Sequence, residues 1–341
     1  GVYDMVEELK GEKVLLEKCR VNYAVYRLIN GANKVIDRMN PTASMKAVKN
    51  DVEIENEKRA HIKDGVAMTK FIYWLKKNMG RIPMDEISVS DYLEKLRMDQ
   101  EGCIGLSFAT ISAYGAHGAM CHYSATPESN ISLEPRGLYL IDSGGQYYEG
   151  TTDITRTIAM GPVTDEEKEH FTLVLMLRLG DVKFLHGCRG LSLDYAAREP
   201  LWRRGLNYEH GTGHGVSYLS SVHERPNGIR FKMVPERQDN AVMEAGMITS
   251  DEPGVYIDGS HGIRTENLVL CVEDEKNEYG QFLRFEYLTY VPVDLEVIDR
   301  GIMSDRDVKL LNRYHEQVYE KISPYLDEDE RVWLAEVTRA V

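Results

Sequence analysis

The sequence predicts an α+β fold, and three observations carry that expectation. Helical patterns form separate blocks towards both ends of the chain. Strand-like runs cluster between those blocks instead of alternating with helices one by one. No Gly-rich phosphate loop opens a helix after a strand, and the Gly-rich HGTGHG segment lacks the context of a dinucleotide site.

Each element follows from local pattern. Residues 1–49 read as a fragment of an α/β unit, with VYDMVEELK helical, KVLLEK a strand, NYAVYRLIN a helix and KVIDRM a second short strand. A unit this small has little core of its own, so it either packs on the rest or is the remnant of an upstream domain. From Asn50 a helical pattern runs to about Met79, apolar at Ile54, Ala60, Ile62, Val66, Phe71 and Leu75. Asn50 and Glu53 suit an N-terminal cap, and Gly80 a stop. A second helix follows Ser88–Asp91 and ends near Gly102. LSFATISAY, LYLID and DITRTIAM then read as strands. Thr164 and Glu167 form a capping box for a helix through FTLVLML. MITSDEP, GIRTENLVLCV and FLRFEYLTYVP read as later strands. Helices over about 304–322 and 327–340 close the chain, both opening on acidic residues that suit the helix dipole.

Bulk properties exclude several functions. The 341 residues suffice for one large domain or two ordinary ones. A net charge of −14 and a pI near 5.3 lack the basic footprint of a nucleic-acid or anionic-membrane surface. FTLVLML is far too short to span a bilayer, and no basic-then-apolar signal is seen. The five cysteines are scattered, with no CxxC pair, so neither a disulfide framework nor a thiolate zinc site is indicated. A soluble, cytosolic protein is expected.

The chemistry concentrates in four punctuated segments, IDSGGQYYEGTTDITRT, EHGTGHGV, SDEPGVY and IRTENLVL. They carry Asp142, Asp153, His214, Glu252 and Glu266. Four carboxylates and an imidazole are a ligand set for two divalent cations, whose charge the carboxylates cancel. Without metal the same carboxylates would repel and raise one another's pKa values. Each residue also has a plainer reading. An Asp beside Gly often caps a turn. Glu266 would pair with Arg264, two residues away on the same strand face. A lone histidine is more often a satisfied polar residue, but His210, His214 and His223 are three of only ten in the chain. Extra imidazoles suit donation to an oxyanion.

Taken together, these segments resemble the methionine-aminopeptidase-like metallopeptidases, the pita-bread enzymes, and within them the Xaa-Pro aminopeptidases (aminopeptidase P). The resemblance rests on IENEKRAHIKDGVAMTKFIYWL, SFATISAYG, HYSATPE, LIDSGGQYYEGTTDITRT, YEHGTGHGV, VHE, MITSDEPGVY and GIRTENLVL, in that order, over residues 50–290. It implies two pseudo-symmetric halves around a dinuclear metal site. Residues 1–49 then resemble the end of an upstream domain, and 291–341 a C-terminal block packed on the catalytic domain.

Carried over by resemblance, Asp153 and Glu266 bridge two metals, Asp142 completes one shell, and His214 with Glu252 the other. A hydroxide between the metals attacks the Xaa-Pro bond, with Glu252 as general base. His122 and His223 resemble imidazoles that contact the peptide carbonyl. His210, Tyr256 and Arg264 resemble residues lining a pocket for the second-position proline. The implied substrates are peptides with proline at position two, the implied cofactor is two Mn²⁺ ions (Zn²⁺ or Co²⁺ also suit the donors), and the implied assembly is a homodimer. Ser217 and Arg225 depart from the family wording, which has Gly at both places; His117 and Cys121 depart around His122. The alternatives are a prolidase, with the same ligands but dipeptide substrates, and a non-catalytic relative, which typically lacks several ligands that are all present here.

Overall fold

The computed structural model describes residues 1–341 and divides into two compact units, 1–46 and 47–341. In the first, strands Lys13–Leu16 and Lys34–Asp37 pair in parallel, and the Tyr23–Ala32 helix crosses between them. Asn22 caps that helix by accepting from Ala24 N at 2.9 Å. Leu16 and Ile29 are its buried apolar residues, the small core that a unit of this size permits. Helix Pro41–Ala47 was not foreseen in the sequence.

The second unit has two halves. The first half opens on helix Asp51–Asn78. Asn50 Oδ1 accepts from the Val52 and Glu53 amides at 3.0 Å, and Glu53 returns to Asn50 N at 2.9 Å. Gly80 follows with φ of 73°, where a Cβ would be strained. The next helix is Glu86–Met98, starting before the expected Ser88–Asp91 because Asp85 is the cap and accepts from Ser88 N. Asp64 on the long helix takes a bidentate ion pair from Arg97 at 2.7 and 3.1 Å, and Tyr147 OH donates to the same carboxylate. These helices back an antiparallel sheet ordered Ile111–Tyr114, Leu138–Ser143, Ile154–Ala159. The LSFATISAY run is therefore not one strand, since Ser107–Thr110 separates Cys103–Leu106 from Ile111–Tyr114. FTLVLML likewise breaks, because the helix ends at Leu173 and a short one resumes at Leu177.

The second half is a six-stranded antiparallel sheet ordered Glu224–Ile229, Gly213–Gly215, Ile248–Asp251, Asn267–Asn277, Gly280–Tyr287, Lys183–Leu185. Helices Gly190–Leu193 and Tyr195–Trp202 lie beside it. The hairpin Gly254–Ile257 and His261–Arg264 stands apart from that sheet and bends the GIRTENLVLCV run at Thr265–Glu266. Helices Asp305–Ile322 and Glu328–Val337 close the unit, capped by Ser304 and Asp327.

Arg156 ties these parts together. It is fully buried and donates to the carbonyls of Thr155, Glu266, Val291 and Pro292, to Asn267 Oδ1 and to Tyr314 OH, at 2.6–3.3 Å. Those acceptors belong to the first-half strand, to Glu266 and Asn267 where the second-half strand begins, to the segment after strand Gly280–Tyr287, and to the helix Asp305–Ile322. Removing the guanidinium strands several buried acceptors at once, which is far costlier than losing one surface bond. Arg156→Leu is expected to lower unfolding free energy by about 3–5 kcal/mol, read from the urea midpoint; an unchanged midpoint would show that Arg156 does not hold these parts together.

Candidate metal centre

Strand pairing brings the first two carboxylates together. Asp142 stands directly opposite Thr155, and Asp153 lies two residues before Thr155, so all three face the same way. The second half repeats the device. Asp251 opposes Asn267, and Glu252 and Glu266 are the next residues out from that rung. Glu266 N donates to Thr155 O at 3.0 Å and Thr155 Oγ1 to Glu266 Oε2 at 2.7 Å, so the two carboxylate pairs meet.

His214 arrives on a strand that needs glycine on both sides. A Cβ on Gly213 would sit 1.9 Å from Ser250 O, and one on Gly215 would sit 2.4 Å from Glu224 O. The His214 Nδ1 lies 3.0 Å from Gly215 O, which can only accept, so Nδ1 carries the proton and Nε2 a lone pair. That lone pair faces Asp153 Oδ2 at 3.5 Å and Glu252 Oε1 at 3.4 Å. Burial, then the nearby His223, depress the His214 pKa to about 3, so the ring is neutral. A lone pair turned on two carboxylates calls for a cation between them. Ligand atoms of Asp153, His214 and Glu266 all lie within 4.8 Å of one another, which suits one. Asp142 Oδ1 is buried without a partner, a further free donor. The donor set fits divalent cations.

Electrostatics agrees. Burial, then the Asp142 and Glu252 charges, push the Asp153 pKa well above the usual carboxylate range. Burial, then Asp153 and Glu252, do the same to Glu266. Glu252 rises to about 7, chiefly through burial, although Ser250 Oγ donates to it at 3.0 Å.

Of the remaining expected residues, His122, His210, His223 and Arg264 line one cavity of about 500 Å³ above this cluster, and Tyr256 stands behind that lining, bonded to two of them. Arg264 does not pair with Glu266. Its Nη2 donates instead to Asp142 Oδ2 at 2.6 Å and its Nη1 to Tyr256 OH at 2.7 Å, because the chain bends after Arg264. Tyr256 OH in turn lies 2.8 Å from His210 Nε2, whose Nδ1 donates to Gly211 O at 2.8 Å. His210 is neutral, its pKa held near 3 by burial and then Arg264. The His223 ring lies 4.3 Å from that of His214, and both His122 and His223 are exposed to the cavity. Ser217, buried, bonds Ser221 O just before His223, and Arg225 bonds Gln238. Sequence reasoning passed over Thr155 and Ser250, which hold Glu266 and Glu252. Their even spacing from Asp153 and Glu252 was the available signal.

Similarity to known proteins identifies the class. Metallopeptidase family M24 matches residues 55–273, and the C-terminal region of peptidase_M24 matches 281–341. The chain belongs to metallopeptidase family M24. It is 39% identical over 331 residues to the probable Xaa-Pro aminopeptidase P of Paracoccidioides brasiliensis (strain Pb03), covering 94% of this chain and 53% of that protein. The structure of the X-prolyl aminopeptidase from Caenorhabditis elegans, described as a cytosolic enzyme with a di-nuclear active site, superposes with a TM-score of 0.90 at 33% identity. That match covers 100% of this chain and 57% of the nematode chain. The Xaa-Pro dipeptidase from Bacillus anthracis follows at a TM-score of 0.69 and 29% identity, over 86% of this chain and 77% of the other. The mixed helix-and-sheet fold expected from the sequence is thus the one observed. This chain spans about half the length of the curated relatives it matches. None of its helices is long and apolar enough to cross a membrane.

The raised carboxylate pKa values have a defined pH signature in the cation-free chain. Folded Glu252 holds a proton up to about pH 7, whereas its unfolded value is near 4.5. Its contribution is therefore present below the unfolded pKa and lost as pH rises through the folded one. The buried neutral histidines act oppositely, losing stability as pH falls, but equally in wild type and variant. Glu252→Gln in chelator is expected to gain on wild type between pH 5 and 8, by up to about 3 kcal/mol. Chemical unfolding across that range measures it; a gap that shrinks as pH rises contradicts the raised pKa of buried Glu252.

Proposed function

We propose that this chain is the catalytic part of a metal-dependent Xaa-Pro aminopeptidase, which removes one N-terminal residue ahead of proline. The observation that carries the reading is the neutral His214 facing Asp153 and Glu252 beside Glu266, in a cavity also lined by Arg264 and His210, which Tyr256 links. Asp142, Asp153, His214, Glu252 and Glu266 would hold two divalent cations, with Asp153 and Glu266 between them. When bound, such cations supply charge neutralisation for the carboxylates and acidify water at neutral pH.

The protein's own groups do the rest. Glu252, oriented by Ser250, accepts the proton of the attacking water and passes it to the leaving nitrogen. His122 and His223, exposed in the cavity, donate to the peptide carbonyl oxygen as charge develops there. His210, Tyr256 and Arg264 bond one another and so present a pre-formed wall to the proline ring. An Xaa-Pro bond has no N–H, so a site that demands no acceptor for it gains selectivity. Oxygen-rich donors favour Mn²⁺ as the cation. A cytosolic location, as described for the nematode enzyme, and a homodimer complete the reading; the molar mass in solution tests the latter.

Hydrolysis of Ala-Pro-Ala, Ala-Pro and Met-Ala-Ala in Mn²⁺, with bound metal counted, separates the alternatives. Cleavage of the tripeptide at Ala-Pro is expected; cleavage of the dipeptide alone would make the protein a prolidase. Glu266→Gln is expected to abolish turnover and lower metal content to one ion or none. Full activity with two ions bound would end the assignment of Glu266 between the metals.

A further inference from the structure

His214 and His223 stand near each other, but the sheet holds only the first. Strand Gly213–Gly215 runs antiparallel to Glu224–Ile229, and Gly215 stands opposite Glu224. Residues 216–223 leave the sheet at that rung as a loop, with His223 the last residue before re-entry. The His223 ring is exposed in the cavity and lies against that of His214, their centroids 4.3 Å apart. Its aim is set by the loop backbone that carries it.

The base of this loop is closed by an ammonium from another part of the chain. Lys49 Nζ donates to Val216 O at 2.5 Å and to Glu224 Oε1 at 2.9 Å. One group thus joins the first residue of the excursion to the residue that follows its last. The Lys49 and Glu224 side chains are 1% and 8% exposed. The backbone delivers Lys49 to this place. Its N–H donates to Gly246 O at 2.9 Å, and a Cβ on Gly246, whose φ is 93°, would stand 2.7 Å from Lys49 O. Within the loop, buried Ser217 donates through Oγ to Ser221 O. Gln146 Nε2, on strand Gly145–Tyr147 of the first half, donates to Ser220 O at 2.6 Å. Burying an ammonium requires acceptors, and any two would satisfy it. Here they are the two ends of the loop that delivers His223.

On the peptidase reading proposed above, on which this inference rests, His223 donates to the peptide carbonyl oxygen as charge develops there. Such a donor acts best when it is held in place before the reaction begins. We propose that Lys49 is a positioning residue for His223, clasping the loop 216–224 at its base while Ser217 closes it from within. An ammonium is a compact charge with three donors, which suits a carbonyl and a carboxylate arriving from different directions. With the clasp removed, the loop ends are free to part and the ring to drift. A misplacement of about 1 Å is enough to cost on the order of a hundredfold in rate.

The test is the paired variant Lys49→Met with Glu224→Gln, which removes the clasp without leaving a buried charge unmatched. Metal content and the urea midpoint establish that it is folded and loaded with Mn²⁺. Its kcat for Ala-Pro-Ala is expected to fall about thirtyfold, with KM changed less than about twofold. In a His223→Ala background the same pair is expected to cost less than about twofold more, because the group it aims is gone. Wild-type kcat in the paired variant, a change confined to KM, or a loss that multiplies with that of His223→Ala overturns the proposal. Full activity of His223→Ala overturns it too. In each of these cases wild-type cleavage of Ala-Pro-Ala leaves the peptidase reading standing. If the paired variant does not fold, Ser217→Ala, which deletes one hydroxyl and keeps the ion pair, takes its place. It is expected to lower kcat about threefold, and an unchanged kcat overturns the proposal. Cleavage by no form of the protein overturns the peptidase reading, and crystal structures of wild type and paired variant then decide. A His223 ring displaced with its loop while His214 stays supports the clasp; an unmoved ring overturns it.

Discussion

Four carboxylates converging on one neutral imidazole are the constraint around which the large unit is arranged. Asp142 and Asp153 come from one antiparallel pair, Glu252 and Glu266 from the ends of another. Bringing them together without compensation is unfavourable, since burial and like charge both oppose ionisation. The chain answers in part with its own groups. Arg264 neutralises Asp142, Thr155 donates to Glu266, and Ser250 donates to Glu252. What remains unsatisfied, the Asp142 Oδ1 and the His214 lone pair, is a pair of donor atoms that suits a cation.

Holding that arrangement needs rigidity behind it, and the rigidity is polar. Arg156 emerges beside Thr155, away from the carboxylates, and binds carbonyls from both halves together with Tyr314 of the C-terminal helix. A backbone carbonyl is fixed by the fold, so a guanidinium that saturates several of them locks their relative positions in a way that apolar contact does not. His315, next to Tyr314, accepts from Val293 N at 3.1 Å and extends the same clamp. The C-terminal block thus supports the site without lining it.

The cavity itself is asymmetric. One wall is a chain of hydrogen bonds from Arg264 through Tyr256 to His210. The lining also carries Arg230 and Arg237, on the stretch that follows the Glu224–Ile229 strand, with the Arg230 guanidinium beside Gly211. The donors and acceptors of the Arg264–Tyr256–His210 chain are already paired with one another. Ser217 and Arg225, where the sequence departs from the family wording, both find partners within the neighbouring loops.

Much of this was legible in the chain. Capping at Asn50 and Thr164 follows from short-range hydrogen bonding, so those helix starts could be read directly. The five candidate donors could be named because four carboxylates and an imidazole recur in short punctuated segments that together resemble one family, although each alone has a plainer use. Local pattern failed where a run was broken by tertiary need, at Ser107–Thr110 and at Thr265–Glu266, where the strand gives way so that Glu266 can meet Thr155. It also left open whether Arg264 pairs with Glu266 or elsewhere. Only the folded chain decided that Arg264 turns to Asp142, that His214 offers Nε2, and that Arg230 and Arg237 face the same cavity. Residue type and spacing determine which groups can bind a cation; which atom faces which depends on contacts such as Arg264 with Asp142 and Thr155 with Glu266, between segments far apart in the chain, and no local pattern encodes those.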